Sequence, residues 1–308
     1  MSPTRRAAVA GLSLAALAAP ARARAPAGLQ AGLEAAAAAA PGRLLVLVRD
    51  LSTGAEAGVR ADERAPMHSA VKLFVAAWAA GEVAAGRLSD ARTVTLRRET
   101  SPTGPGRVDR ALAAAGVLSP TVGEMIEALL LDSDNAATDG LISLAPSPAA
   151  IGQALRLPQS VRIARTMRAL YAEPPRTRAA WDAFLADPRD QATPRGFVRA
   201  LDRLARGRLA GPAADARVRA LMEQATVGAA RLTAGLGPDW RVQGRTGTGV
   251  QFEGRRSSTN QAALAIHRRT GRTVAIAVLL KDADGSDATR DAAIARVGGA
   301  VRAAWPNG

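Results

Sequence analysis

Hydrophobic residues near the start of the chain form short runs that predict one helix and two strands. The run RLLVLVRD at 43–50 is almost entirely apolar over its first six residues and predicts a buried strand. A turn at 51–54 follows, and AEAGVR at 55–60 predicts a weaker second strand. Before them, the alanine-rich segment 29–40 predicts a helix that stops at Pro41-Gly42.

The last quarter of the chain returns to strand-like patterns. Three segments, RVQGRTGTG at 241–249, SSTNQAALAIHRR at 257–269 and RTVAIAVLLKD at 272–282, predict three strands. A turn at 271–272 joins the last two, and residues 287–304 predict a closing helix. Strands from both ends of the chain then build one antiparallel sheet flanked by the terminal helices.

The middle of the chain has helical periodicity broken by proline- and glycine-rich loops. The clearest helix is Val122–Leu131, where Thr121 is the expected N-cap and Glu124 completes a capping box. Phe197–Arg206 is a second one. The predicted fold class is therefore α/β (α+β), with an antiparallel sheet and an inserted all-α lobe.

We expect residues 26–308 to form a single catalytic domain. Its α/β lobe is predicted at about 26–64 and 230–308, and its helical lobe at about 65–229. A site is expected in the cleft between the two lobes.

Composition narrows the chemistry. The chain has 308 residues, 48% of them hydrophobic, which is enough to bury a sizeable core. It has no cysteine and only two histidines, His68 and His267. These numbers exclude a disulfide framework and a thiolate metal site, and they disfavour a histidine zinc site or a Ser-His-Asp relay. We expect no metal and no cofactor, with His68 packed beside its neighbours and His267 on the surface.

The first 25 residues have the layout of a cleaved export signal. Arg5 and Arg6 precede an apolar run and Ala-Arg-Ala steps, and cleavage is expected near Ala23 or Ala25. The paired arginines favour the twin-arginine route, with an ordinary signal as the alternative. The prediction is a periplasmic or secreted protein with no membrane span after cleavage.

The charge is strongly basic but scattered. The formal net charge is +14, and the first 25 residues hold four arginines and no acid, which leaves about +10 for the rest. A basic surface can indicate nucleic-acid binding. The arginines form no long run, however, and aromatic residues make up only 3% of the chain, so no nucleic-acid partner is expected.

The segment PMHSAVKLFVAAWAAG at 66–81 places Ser69 and Lys72 three residues apart in apolar surroundings. At that spacing two side chains share one face of a helix. A serine hydroxyl needs a base to become a nucleophile, and apolar burial lowers the pKa of a lysine enough for it to serve. The alternative is a serine cap beside a lysine that reaches solvent.

Two further segments carry polar groups suited to the same chemistry. Ser133-Asp134-Asn135 follows the predicted 122–131 helix and could supply a proton donor and an amide, or simply end the helix as a polar turn. The segment 244–249, GRTGTG, falls in a predicted strand, where glycines allow close backbone approach by a ligand and Arg245 suits a carboxylate. Its alternatives are a glycine-rich edge strand or a phosphate loop.

Together, these three motifs resemble those of a class A β-lactamase, a penicillin-recognising serine hydrolase. They occur in the order S-x-x-K, S-D-N, cation-T-G, and the resemblance spans about residues 27–306. It implies a β-lactamase/transpeptidase-like fold and hydrolysis of the β-lactam amide bond. It also implies a small-molecule β-lactam substrate and a monomer.

The resemblance assigns roles to the motif residues. Ser69 is then the acylated nucleophile, Lys72 its base or a member of its proton network, and Ser133 the proton donor to the departing lactam nitrogen. Asn135 binds the substrate's side-chain amide, and the backbone amides of Ser69 and Thr248 form the oxyanion hole. The groups expected around the substrate carboxylate and along the strand edge are Arg245, Thr246, Gly247, Thr248 and, as a second cation, Arg255 or Arg256.

The chain departs from the family pattern at two places. Arg245 stands where the family usually has lysine, which keeps the charge but excludes proton shuttling. The family's Glu-x-x-Leu-Asn motif is incomplete. Glu173-Pro174 is its nearest match, but Arg176-Thr177 stands in place of Leu-Asn. Glu173 is therefore either the deacylating base or a solvated loop carboxylate, and Asp190 is expected to close this loop against Arg168.

Other functions stay open at this point. Without a working glutamate, the chain would be a penicillin-binding DD-peptidase-like or esterase-like serine hydrolase with slow or no lactam turnover. A catalytically inactive, basic periplasmic binding protein is a further alternative, against which the complete set of Ser69, Lys72, Ser133 and Asn135 argues.

Overall fold

The computed structural model describes residues 24–172 and 174–307. Its strands are β1 (Arg43–Asp50), β2 (Glu56–Val59), β3 (Ala65–Pro66), β4 (Leu96–Arg97), β5 (Val117–Leu118), β6 (Gln191–Ala192), β7 (Trp240–Thr248), β8 (Gln251–Phe252), β9 (Arg255–His267) and β10 (Thr273–Ala283). Its α-helices are α1 (Leu29–Ala38), α2 (Lys72–Ala84), α3 (Arg107–Ala115), α4 (Val122–Leu131), α5 (Asn135–Ile142), α6 (Pro148–Ala154), α7 (Met167–Tyr171), α8 (Arg178–Ala186), α9 (Pro194–Ala205), α10 (Pro212–Gln224), α11 (Ala234–Leu236) and α12 (Asp287–Ala304).

Strands from both ends of the chain build one antiparallel sheet. Its order is β2-β1-β10-β9-β7, with β8 paired to β9. The pairing of β1 with β10 runs from Arg43 opposite Lys281 to Asp50 opposite Val274. β7 is an edge strand of this sheet, and its free side faces the helical part of the protein.

Alternation along the central strands supplies both hydrophobic cores. Successive side chains of a strand point to opposite faces. In β1, Leu44, Val46 and Val48 pack with α1 and α12 on one face, while Leu45 and Leu47 pack against the helical part on the other. A strand that is buried on both faces has a continuous apolar sequence. This is why the strand at 43–50 can be predicted from the sequence.

The predicted fold class is confirmed. The sheet is antiparallel, the terminal helices α1 and α12 cover one face, and the middle of the chain is largely helical. The bounds of β1, α4 and α12 coincide with the predicted ones. Thr121 caps α4 by accepting from the backbone N–H of Glu124 at 3.1 Å, and the Glu124 carboxylate accepts from the backbone N–H of Thr121 at 2.8 Å.

Two sequence predictions need correction. The helix predicted from Phe197 begins at Pro194, because Thr193 caps it by accepting from the N–H of Gly196 at 3.0 Å and proline suits the first helical position. His267 was expected on the surface, but it is 4% exposed. It ends β9 opposite Trp240, and the two rings lie edge to face at 5.1 Å.

Helix α2 lies at the centre of the helical part. Its first nine residues, 72–80, are all buried, and it contacts α4, α5, α6 and α10. Across the stretches that the structure describes, no helix is long and apolar enough to cross a membrane. The predicted export signal at 1–25 lies almost wholly outside the described residues.

Candidate active site

Ser69 lies on a tight turn that leads into α2. Residues His68–Val71 form a 3-10 turn after β3, and α2 begins at Lys72. Ser69 is partly exposed, whereas His68, Ala70 and Val71 are buried. The turn therefore presents one hydroxyl to solvent from an otherwise buried segment. The sequence placed Ser69 on the α-helix itself, but it precedes that helix by one 3-10 turn.

Lys72 is fully buried and held by the turn between α4 and α5. Its Nζ donates to the carbonyl oxygen of Ser133, to Ser133 Oγ at 3.2 Å and to Asn135 Oδ1 at 2.6 Å. Burial lowers the pKa of Lys72 well below its ordinary value, and the charge of Arg245 lowers it further. The structure thus brings Lys72, Ser133 and Asn135 together in one cluster. In it, burial makes the Lys72 amine lose its proton more readily than it would in water.

The turn that carries Ser133 and Asn135 is shaped by two buried aspartates. Ser133 adopts a left-handed backbone with φ of 60°, and Asp134 caps α5 by accepting from the N–H of Ala137 at 2.9 Å. The other oxygen of Asp134 accepts from the N–H groups of Val108 and Asp109. Asp109 in turn accepts from the N–H of Asn135 at 3.1 Å. These bonds fix the backbone on which both site residues stand.

The edge strand β7 packs closely against the Ser69 turn. A Cβ added at Gly247 would lie 2.2 Å from the carbonyl oxygen of Met67 and 3.0 Å from the nitrogen of Ala70. Any side chain at this position would push the strand off the turn. Gly247 therefore lets β7 pack directly against the turn that carries Ser69, which is the close approach that the glycines of this segment suggested.

Arg245 is a buried cation with few partners. Only 1% of it is exposed, and its nearest hydrogen bond is from Nη1 to the Leu130 carbonyl at 3.5 Å. Its Nε and Nη2 have no hydrogen-bond partner among the described residues. Burial, followed by the charge of Arg231, lowers the pKa of Arg245 to about 10. A guanidinium in this state is suited to receive a ligand anion.

Arg231 is a site residue that sequence reasoning missed. It lies in the irregular helical turn Ala229–Thr233 and donates from Nη2 to Thr248 Oγ1 at 2.8 Å. Two other bonds, to the Asn260 carbonyl at 2.8 Å and to Asp291 at 2.7 Å, fix its position. No local pattern distinguishes this arginine from the many others in the chain, because its partners lie 17 to 60 residues away.

Arg255 is not brought to this cluster. It donates to Asp282 at 2.7 Å, near the C-terminal end of β10, and to Asp284 at 2.8 Å, just after that strand. Its neighbour Arg256 comes nearer, with Nη1 donating to the Gly249 carbonyl at 3.1 Å. The guanidinium that contacts Thr248 is that of Arg231, and neither Arg255 nor Arg256 is placed there by a hydrogen bond.

The segment between Arg165 and Asp190, here the 165–190 loop, folds over the Ser69 turn. Asp190 closes it by accepting from Arg165 Nε at 2.6 Å and from the backbone N–H of Ala164 at 2.7 Å. The prediction that Asp190 pairs with Arg168 is wrong. The side chain of Arg168 is exposed and donates to the Glu99 carbonyl instead. Glu173, the proposed base, lies outside the described residues.

Tyr171, at the end of α7, is the loop residue that contacts His68, the neighbour of Ser69. Its hydroxyl lies 3.4 Å from His68 Nδ1. His68 Nε2 lies 2.9 Å from Ser257 Oγ. His68 was expected only to pack, and it does stack on Tyr171 and Phe184, but it also links the loop to β9.

The described residues contain no group of three histidine, aspartate or glutamate side chains placed to hold a metal ion. The chemistry available in the cluster is that of a hydroxyl, a buried amine, a second hydroxyl and two guanidinium groups. This set can activate a serine and bind a carboxylate without a metal.

The comparisons with known proteins identify the family. A family model for the β-lactamase enzyme family matches residues 28–305. β-Lactamase L2 of Stenotrophomonas maltophilia is 31% identical over 208 residues, which are 67% of this chain and 64% of that protein. β-Lactamase AER-1 of Aeromonas hydrophila is 27% identical over the same shares. The match therefore spans about 64% of the length of these curated relatives.

Solved structures give the same result at the level of the fold. A class A β-lactamase described as the last common ancestor of Gram-negative bacteria has a TM-score of 0.77 at 32% identity, covering 91% of this chain and all of that one. A β-lactamase from Chitinophaga pinensis has a TM-score of 0.78 at 20% identity, covering 90% and 98%. The chain belongs to the β-lactamase enzyme family, and its fold and motifs are those of a class A β-lactamase-like serine hydrolase.

Proposed function

We propose that the protein is a serine β-lactamase, which hydrolyses the β-lactam amide bond through an acyl-enzyme on Ser69. The observation that carries this proposal is the state of Lys72. It is buried, it is held by Ser133 and Asn135, and its pKa is lowered by burial and by Arg245. An amine whose pKa is lowered gives up its proton more readily, and three residues after a partly exposed serine it is placed to act as the base that a serine nucleophile requires.

Acylation then follows from the cluster. Neutral Lys72 accepts the Ser69 proton while Ser69 Oγ attacks the lactam carbonyl carbon. The backbone amides of Ser69 and Thr248 stabilise the negative charge on the carbonyl oxygen. Ser133 Oγ, 3.2 Å from Lys72 Nζ, gives its proton to the lactam nitrogen as the carbon–nitrogen bond breaks, and Lys72 restores the proton to Ser133.

The substrate carboxylate is proposed to bind along β7. Arg245 supplies a buried charge with unused donors, and Thr246 and Thr248 supply hydroxyls. Arg231 adds a second charge through its contact with Thr248. The amide of Asn135 donates to the Thr103 carbonyl at 3.0 Å, so a substrate amide would have to replace that bond.

The 165–190 loop favours a second candidate. Because Leu-Asn is absent after Glu173-Pro174, the water-activating part of the family's motif is incomplete. A penicillin-binding DD-peptidase-like or esterase-like hydrolase, which forms the acyl-enzyme but releases it slowly or not at all, fits that departure.

Fluorescent-penicillin labelling together with nitrocefin hydrolysis tests both candidates. The wild type is expected to take the label and hydrolyse nitrocefin, and Ser69→Ala is expected to lose the label and at least about 1,000-fold of turnover, since catalysis without the nucleophile falls by several orders of magnitude. Ser89→Ala, at an exposed serine, is the matched control. Labelling without turnover would favour the second candidate, and an unlabelled wild type would reject both.

We also propose that the protein is exported, on the basis of the signal-like pattern at 1–25. N-terminal sequencing of the protein from the extracellular or periplasmic fraction is expected to begin near residue 24 or 26. Recovery of a chain that still begins at Met1 would reject this proposal.

A further inference from the structure

Strand β9 carries a run of five polar residues that the mechanism above does not use. Residues 257–261 have the sequence SSTNQ, and none of them is more than 3% exposed. The strand lies between β7 and β10, and its next segment, 262–266, is apolar. Burying a polar side chain inside a protein costs free energy unless its atoms find partners. The partners of this run therefore indicate what it does.

Two members of the run, Ser258 and Asn260, bond to the segment before the nucleophile. Asn260 Nδ2 donates to the carbonyl oxygens of Pro66 at 2.8 Å and Met67 at 3.2 Å. Ser258 Oγ donates to the Pro66 carbonyl at 2.8 Å and accepts from Asn260 Nδ2 at 3.0 Å. Alternate residues of a strand share one face, so both side chains reach the same part of the chain.

The Met67 carbonyl lies between two residues that face each other across the sheet. Gly247 of β7 and Asn260 of β9 are paired in register. A Cβ at Gly247 would lie 2.2 Å from the Met67 carbonyl oxygen, so the glycine leaves the space that this oxygen occupies. Asn260 supplies the donor to the same oxygen. Gly247 belongs to the third motif, and Asn260 is its complement on the neighbouring strand, which sequence reasoning missed.

Met67 is also held from the 165–190 loop. Its N–H donates to the Asp190 carbonyl at 2.9 Å. The next residue, His68, has a left-handed backbone with φ of 46°, and Ser69 follows it. A non-glycine residue keeps such a conformation only where its surroundings fix it. The bonds on both sides of Met67 contribute to that constraint, and they orient the peptide that carries the N–H of Ser69.

Asn260 is connected to the edge strand as well. Its backbone carbonyl accepts from Arg231 Nη1 at 2.8 Å, and Arg231 Nη2 donates to Thr248 Oγ1 at 2.8 Å. Thr248 directly follows Gly247 on β7. One residue of β9 is thus linked to both segments that carry the proposed oxyanion-hole amides, the Ser69 turn and the end of β7.

We propose that Asn260, supported by Ser258, is a positioning residue that sets the distance between the backbone amides of Ser69 and Thr248. This inference rests on the proposed β-lactamase function and accounts for how its oxyanion hole is held. Oxyanion-hole donors act when they lie about 2.7–3.1 Å from the oxygen on which negative charge develops. A small displacement of the Ser69 turn from β7 therefore weakens the stabilisation of the tetrahedral intermediate.

The kinetic consequence follows from the use of one oxyanion hole in two steps. Formation and hydrolysis of the acyl-enzyme both pass through a tetrahedral intermediate at the same carbon. Loss of the Asn260 side-chain bonds should slow both steps by similar factors. The value of kcat should then fall while KM changes little, because KM depends on the ratio of the two rates. Arg245, which is proposed to bind the substrate carboxylate, is not altered.

The test combines nitrocefin kinetics with inhibition by phenylboronic acid, whose tetrahedral adduct with a serine imitates the intermediate. Asn260→Leu keeps a branched side chain and removes the donor. It is expected to lower kcat about 10-fold to 100-fold and to leave KM within about 3-fold of the wild-type value. The inhibition constant of phenylboronic acid should rise by a factor close to the loss in kcat.

Thr259→Val is the matched control. Thr259 is the adjacent residue, it is 1% exposed, and its Oγ1 has no hydrogen-bond partner in the described part of the chain. The substitution therefore changes a buried side chain of the same strand without removing a bond. It should leave kcat, KM and the inhibition constant close to those of the wild type.

Ser258→Ala is a milder second variant, in case Asn260→Leu folds poorly. It removes one of the two side-chain bonds to the Pro66 carbonyl and should shift kcat and the inhibition constant in the same direction by a smaller factor. A purely structural role would lower the midpoint of thermal unfolding only. Wild-type kinetics in every variant that folds would therefore overturn the inference, as would a loss of kcat without weaker binding of phenylboronic acid. A wild type that takes no penicillin label would instead reject the proposed function.

Discussion

At the scale of single residues, the site depends on two buried bases whose charged forms are costly. Lys72 and His68 are both fully buried, and burial is the first cause of the lowered pKa of each. They differ in what faces them. Lys72 has three acceptors around its Nζ, while His68 has hydroxyl partners on both ring nitrogens. The first is arranged to release and take a proton, and the second to keep an orientation.

Arg245 adds a charge next to Lys72, and removing it should change two measurements. Arg245→Gln removes a charge-assisted bond to the substrate carboxylate, a loss of about 1.5–3 kcal/mol that should raise KM about 10-fold to 100-fold. It also raises the pKa of Lys72, because Arg245 is one cause of its lowering. If acylation needs the neutral amine, the acid limb of kcat/KM moves to higher pH. Nitrocefin kinetics across pH 5–9 measure both effects.

Arg241→Gln is the control for this substitution. Arg241 lies on the same strand, β7, but its side chain is 42% exposed and pairs with Glu223 at 3.5 Å. Its loss should leave both KM and the acid limb unchanged. An unchanged acid limb in Arg245→Gln would show that the charge of Arg245 does not set the proton affinity of Lys72.

At the scale of elements, the end of the 165–190 loop is closed by Asp190. Asp190 has a left-handed backbone with φ of 53° and accepts from the Arg165 guanidinium and from two backbone amides. Its backbone carbonyl also accepts from the N–H of Met67, two residues before Ser69, at 2.9 Å. Closure of the loop is therefore coupled directly to the segment that carries the nucleophile and to the position of Tyr171.

Asp190→Asn is expected to lower the free energy of unfolding by about 2–3 kcal/mol. The asparagine keeps an oxygen for the amides and tolerates the left-handed backbone, so the loss comes from the ion pair with Arg165, whose side chains are only 15% and 6% exposed. Asp182→Asn, in an exposed pair with Arg178 on the same loop, should cost less than about 0.5 kcal/mol. Urea unfolding measures both, and equal losses would show that Asp190 does not hold the loop.

How far the sequence predicts an element depends on where its determinants lie. The helix Val122–Leu131 was predicted with its bounds because the two residues of its cap, Thr121 and Glu124, lie only three positions apart. The strand 43–50 was predicted because burial on both faces leaves a continuous apolar run. The contact of Tyr171 with His68, 103 residues away, has no local signal, and neither has that of Arg231 with Thr248. The motif residues were found only because three motifs occur together in order.

At the scale of the whole molecule, the sheet unites the two ends of the chain, and the site forms where its edge strand meets the helical part. Strands β1, β9 and β10 are 8, 13 and 11 residues long and are buried on both faces, which gives a rigid support. The site itself contains the buried bases that this support must hold neutral. Such groups lower the free energy of unfolding at any pH where the unfolded chain binds a proton that the folded chain does not bind.

The acid sensitivity of the fold should therefore depend on His68. Its folded-state pKa of about 3 lies below the ordinary value of 6.5, so the unfolded chain binds the extra proton, and stability is lost as the pH falls from 6.5 toward 3. The slope of the unfolding free energy against pH approaches about 1.4 kcal/mol per pH unit.

The variant His68→Asn tests this prediction, because asparagine does not titrate in this range. Urea unfolding between pH 7 and 4.5 should show a correspondingly shallower slope for the variant than for the wild type. The difference in slopes is the informative quantity, because loss of the ring also lowers the stability of the variant at every pH. Equal slopes would mean that His68 takes up its proton in the folded protein, and the neutral His68 on which the link from Tyr171 to Ser257 depends would then be wrong as well.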